Sequence, residues 1–144
     1  MKKEVIFGEK TRKVVGETVG PLSHGVKVTN PGSIIFISGQ VSYVNGKLVG
    51  KGDVVAQYKQ IMENMKAILE DAGASMDNIV KLVHYMTTKV ELGTGTTLDD
   101  IYPKLKEVRT QYIKKDFPVS TMVEVYASMI EGCLIEVDAI AVTD

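Results

Sequence analysis

The stretch from Phe117 to Val142 reads FPVSTMVEVYASMIEGCLIEVDAIAV, and it places three acids in apolar company. Glu124, Glu136 and Asp138 sit among Val119, Val123, Val125, Ile135, Val137 and Ile140. The pattern predicts two adjacent strands joined by a short turn at 130–132. Acids on such strands are normally on a wet face, whereas these are expected to be largely covered. A carboxylate held on a rigid strand beside apolar neighbours is suited to proton transfer. Glu124 and Glu136 either form a catalytic pair on neighbouring strands, or one of them only bonds backbone at a subunit boundary. Glu136 is the candidate catalytic residue.

The remaining reactive side chains read more plainly. His24 lies in a Gly-rich loop and is either a pocket base or a polar surface residue. His84 alternates with Leu82 and Met86, which suits a hydrogen-bonded core or interface histidine. Neither has a Cys or an acid at metal-ligand spacing, so no metal site is expected. Cys133 is the single cysteine. It excludes a disulfide framework and reads as a small hydrophobe at a turn end. Met62 and Met65 belong to a helix core. The glycines at 16–25 and 46–52 form no strand–GxGxxG–helix unit, so nucleotide binding is unsupported.

These residues need a scaffold. A chain of 144 residues is expected to form one domain with a substantial core. Hydrophobic content is 44%, charged content 24% and the formal net charge -1. This balance offers no basic stripe for nucleic acid. No apolar run approaches bilayer-spanning length, and 1–10 lacks the apolar centre of a signal peptide. The expected location is the cytoplasm.

Residues 4–7 are predicted as a strand and 18–25 as a loop. Residues 26–29, the turn Asn30-Pro31-Gly32 and residues 33–37 read as a hairpin. Ile34 to Ile37 form a continuous apolar run, predicting a strand buried on both faces. Residues 53–72 are the clearest helix, with Asp53 as N-cap and Gly73 just past its end. A turn at 75–78 leads to a strand at 79–89. A second helix is predicted at about 100–114, because Pro103 is tolerable only in a first turn. A loop at 93–97 precedes it. The expected class is α+β, a mixed sheet with two helices on one face. Two helices leave the other face bare although several strands are apolar on both sides. Burial against further copies of the chain follows as an expectation.

Several segments together resemble one family over nearly the whole chain. They are SGQV at 38–41, the long helix with AGASMDNIVKL at its end, Phe117-Pro118, MVEVYA at 122–127 and IEVDAIAV at 135–142. In order and spacing they resemble the Rid (reactive intermediate deaminase, YjgF-like) family. The resemblance implies a chorismate-mutase-like fold and a homotrimer with a pocket at each subunit interface. It also implies hydrolysis of small enamines and imines to keto compounds and ammonia, without metal or cofactor.

The resemblance also implies site residues. Glu136 falls on the water-positioning acid, Ser38, Gly39 and Gln40 on the pocket turn, and Glu124 on the acid of the VEV run. Three positions depart from the pattern. Ser120 stands where the family has an arginine that clamps the substrate carboxylate. Leu22 stands for a pocket tyrosine and Met122 for a cysteine. A serine hydroxyl donates one neutral bond, worth ~1 kcal/mol net against ~1.5–3 for a charge-assisted one. Only Arg12 and Arg109 remain as arginines. Arg109 is expected on the solvated face of the second helix, and Arg12 in a segment able to reach a neighbour's pocket. A pocket less cationic and more apolar than the family's is therefore expected.

Three function classes follow. One is an imine or enamine hydrolase using Glu136 with an altered clamp. Another is a non-catalytic trimer that binds a small molecule at its subunit interfaces. The last is an endoribonuclease or translation inhibitor, which fits worst because basic and aromatic residues for RNA are lacking. The expected partners are the chain itself and a small-molecule ligand, with neither nucleic acid nor membrane.

Overall fold

The computed structural model describes residues 1–18, 20–87 and 97–144. In chain order the elements are β1 (Lys2–Ile6), α1 (Glu9–Val14), β2 (Gly25–Thr29), β3 (Ser33–Gln40), β4 (Tyr43–Val44), β5 (Lys47–Leu48), α2 (Val54–Asp71), a 3-10 turn (Met76–Asn78), β6 (Ile79–Met86), α3 (Leu98–Tyr112), β7 (Val119–Glu124) and β8 (Ile135–Thr143). The main sheet has four strands in the order β3-β8-β6-β7. β8 runs antiparallel to both its neighbours, and β6 and β7 are parallel. The class is mixed α+β, as the sequence pattern predicts.

α2 forms where the spacing requires it. Val54, Tyr58, Ile61, Met62, Met65 and Leu69 are buried along one stripe. Asp53 caps it: Oδ1 accepts from the backbone N–H of Val55 and Ala56, at 3.0 and 2.9 Å. Gly73 follows with φ +71°, the left-handed exit that glycine adopts without a Cβ penalty. α3 begins at Leu98, two residues earlier than expected. Thr97 and Asp100 form a reciprocal capping box there. Pro103 is therefore the sixth helical residue, past the first turn, and the helix runs through the missing N–H. The loop expected at 93–97 lies outside the described residues except for Thr97, and the predicted strand end at 88–89 lies outside them altogether.

Two pairings differ from expectation. β2 does not pair with β3 as a hairpin; it pairs with β1, and β3 pairs with β8. The turn exists, with Asn30 at φ 52°, but it separates two sheets. Gly32 donates to the Thr143 carbonyl at 2.9 Å and so starts β3 along β8. β7 and β8 are likewise not neighbours. β6 lies between them, and the segment 125–134 carries the chain across it. A buried β8 with apolar residues on both faces suits an interior strand better than a hairpin arm.

α2 and α3 cover one face of the sheet. Leu82, Met86, Ile135, Val137, Ala139, Ala141 and Ile37 point into that core. The other face is open in this chain. Ile34 is 53% exposed and Phe36 76%, so β3 is buried on one face only, contrary to the expectation of two. A third helix, α1, was unpredicted; it is six residues long and buries no residue.

Candidate functional site

Strand alternation divides the candidate residues between the two faces. Ser120 and Met122 register with Leu82 and His84, which are core residues, so they face the helices. Glu136 registers with Tyr85 and faces the open side, next to Asp138 on β8. Glu136 and Ser120 are thus two strands and three residues apart, on the order of 14 Å between backbones, and on opposite faces.

On the open face, Glu136 is seated on the Ser38-Gly39-Gln40 turn. A β-carbon built at Gly39 overlaps Glu136 Oε1, so only glycine admits the carboxylate there. The turn lies at an irregularity in the β3–β8 ladder between Ile37 and Gln40. Gln40 Nε2 donates to the Ser38 carbonyl at 3.1 Å and ties the turn. Tyr85 donates to Asp138 Oδ2 at 3.1 Å, and that bond is the main reason its hydroxyl titrates above the usual tyrosine range. Glu136 and Tyr85 also line a cavity of about 230 Å³ with Thr87, Ser128, Cys133 and Ile135. Cys133 is buried as expected of a small hydrophobe, and Sγ lies 3.3 Å from the Ile135 carbonyl.

Glu124 does not pair with Glu136. It is exposed at the end of β7, with Met86 of β6 between the two acids, so the catalytic pair on neighbouring strands is not formed within one chain.

On the helix side, Leu22, Ser120 and Met122 line a second cavity, of about 260 Å³, with Asp99 and Tyr102 of α3. The Gly20–Ser23 segment is fastened to β7: Ser23 donates from N to the Pro118 carbonyl at 3.0 Å and from Oγ to the Phe117 carbonyl. This is what brings Leu22 beside Ser120. Asp99 was missed because the helix was expected to start after it, and Tyr102 because its helical spacing read as part of the apolar face.

A buried polar cluster lies behind this cavity. Arg109 is 1% exposed, which corrects its expected place on a solvated face. Its guanidinium donates to the Pro21 carbonyl at 3.2 Å, to Tyr58 Oη at 3.3 Å and to His84 Nε2 at 3.1 Å. A guanidinium only donates, so Nε2 accepts and His84 carries its proton on Nδ1. That proton bonds the Thr121 carbonyl at 3.0 Å. Burial, then the Arg109 charge, push the His84 pKa down to about 3. His84 is therefore the hydrogen-bonded core histidine the sequence predicts. The signal for Arg109 was its spacing: it falls four residues after Leu105, on the apolar stripe of α3.

Arg12 is exposed, with its guanidinium 4.9 Å from the Phe7 ring centroid and Nε 3.7 Å from Glu17. His24 stacks on the same ring and its Nε2 lies 2.9 Å from the Gly16 carbonyl. Both organise the N-terminal segment. No described residue supplies a cation in hydrogen-bond contact with Ser120. Among the described residues no group of three His, Cys, Asp or Glu is placed to hold a metal ion.

Comparison with known proteins identifies the family. The family model described as Endoribonuclease L-PSP matches residues 14–143. A RutC family protein of Pyrococcus abyssi is 39% identical over 143 residues, 98% of each chain. The chain belongs to the Rid (YjgF-like) family. The human 2-iminobutanoate/2-iminopropanoate deaminase is 33% identical over 134 residues, covering 92% of this chain and 86% of that one. A Rid family protein of unknown function from Yersinia pestis has the same fold, with a TM-score of 0.79, 28% identity and 99% of both chains covered. Relatives in the Rid family thus include proteins named as imine deaminases. No helix among the described residues is long and apolar enough to cross a membrane.

Proposed function

We propose that this protein hydrolyses small enamines and imines to keto compounds and ammonia, as a homotrimer whose sites are shared between neighbouring subunits. The observation that carries the reading is the seat of Glu136 on Gly39, which fixes a carboxylate beside a turn of backbone N–H groups. Water bound to Glu136 attacks the C=N carbon, and Glu136 takes its proton. Glu136 delivers that proton to nitrogen to give the carbinolamine, then takes the proton of its new hydroxyl and passes it to nitrogen as the C–N bond breaks, so that ammonia leaves and the C=O forms. N–H groups of the 38–40 turn suit the polar end of the substrate.

The division of the residues between two faces supports a shared site. One subunit presents Glu136 on its open face, and the other presents the Leu22, Ser120 and Met122 wall. The open face with Phe36 and Ile34 is an apolar surface of the kind buried between subunits. Ser120 in the clamp position favours a second reading, a trimer that binds a small molecule without converting it. Ammonia release from 2-aminoacrylate generated in situ by a dehydratase separates the two. Hydrolysis by the wild type, reduced at least about 100-fold in Glu136→Gln, is the expected result. A wild type no faster than buffer defeats the hydrolase reading.

A further inference from the structure

The helix-side cavity lacks a charged group on β7, where Ser120 is neutral, yet a cation lies against Tyr102, one of its lining residues. Lys106 Nζ lies 4.4 Å from the centroid of the Tyr102 ring, and Tyr102 lines the cavity. The lysine stem rests on a second lining segment: a β-carbon at Gly20 would come within 2.7 Å of Lys106 Cε, and Gly20 leads into Leu22. Asp99, Tyr102 and Lys106 are spaced three and four residues apart on α3, so they share one face of that helix. No carboxylate of a described residue pairs with Lys106. Arg109, one turn further on, is committed to Pro21, Tyr58 and His84 and stays below the surface. An ammonium over an aromatic face is held weakly, whereas a carboxylate offers it a charge-assisted bond.

We propose that Lys106 binds the substrate carboxylate in place of a cation on β7, and that the cavity selects small monocarboxylates. Asp99 lines the same cavity about 10 Å along the helix from Lys106. It repels a second negative charge and turns the carboxylate toward the lysine end. This names a binding residue for the imine-hydrolase site proposed above, and binding is measurable without turnover.

The test is calorimetric titration of pyruvate, its neutral amide pyruvamide, and oxaloacetate into the full-length protein. The wild type is expected to bind pyruvate at least about tenfold more tightly than pyruvamide, and more tightly than oxaloacetate. Lys106→Met keeps the stem against Gly20 and Tyr102 and is expected to erase the preference for the acid. Lys106→Gln gives the same reading should Lys106→Met fail to fold. Lys106→Arg is expected to keep the preference, and Lys104→Met, on the exposed side of α3, to leave it unchanged. A wild type that binds neither compound or does not distinguish them, or a Lys106→Met protein that still prefers the acid, overturns the assignment. Absence of ammonia release from the wild type, with lysine-dependent pyruvate binding intact, overturns the hydrolase reading alone.

Discussion

Position 39 has no room for a β-carbon because the Glu136 carboxylate occupies it. The two residues are far apart in sequence and adjacent in space, and the irregularity in β3 is what lets them meet. Gly39→Ala should displace the carboxylate while leaving the core untouched. The expected outcome is a fall in turnover of about tenfold or more, close to 1.4 kcal/mol of barrier, with a melting temperature within a few degrees of wild type. Unchanged turnover in Gly39→Ala means that the seat of Glu136 does not matter to the chemistry. At this scale the sequence was informative about Ser38, Gly39, Gln40 and Glu136, because the order of motifs carried them. It was uninformative about Arg109, since an arginine is solvated far more often than buried.

Five parts of the chain meet at the cluster of Tyr58, His84 and Arg109: α2, β6, α3 and, through the carbonyls of Pro21 and Thr121, the 20–23 segment and β7. The cluster holds the wall of the helix-side cavity in place, and it depends on a neutral His84. That histidine titrates near 6.5 when free and near 3 when folded. Between those values the unfolded chain binds the extra proton. The contribution of His84 to stability is therefore fully present above about pH 6.5 and is lost as pH falls through this window, by about 1.4 kcal/mol per unit. Urea unfolding at pH 7, 6, 5 and 4 should show this slope in the wild type in excess of that in His84→Gln, where the amide keeps neutral bonds. Equal slopes contradict a neutral buried histidine. The elements themselves were largely legible, because α2, β6 and β8 have strong periodicity and α2 a clear cap. Strand pairing was not. Adjacent strands in the sequence suggested hairpins at β2–β3 and β7–β8, but local pattern does not encode which strand a neighbour chooses. Here β8 is drawn between β3 and β6, where its core-facing residues Ile135, Val137, Ala139 and Ala141 are buried.

The whole molecule poses the question that one chain leaves open: two sets of candidate residues on opposite faces of one sheet. The assembly proposed above answers it, with one subunit's Glu136 meeting another's Leu22, Ser120 and Met122 through the open face. Phe36 is 76% exposed in the single chain and lies mid-strand on that face. By sedimentation the wild type is expected to be trimeric and Phe36→Asp monomeric, with turnover abolished and the fold retained. A trimeric Phe36→Asp protein places the interface elsewhere. The central claim, a site shared between subunits, is tested most directly by complementation. Glu136→Gln removes one half of the site, and Ser120→Trp fills the other. Each alone should be inactive. Coexpressed, with mixed trimers verified by native mass spectrometry, they should recover about a quarter of the wild-type sites, since random assembly pairs two intact halves that often. Mixed trimers no more active than either parent contradict the shared site.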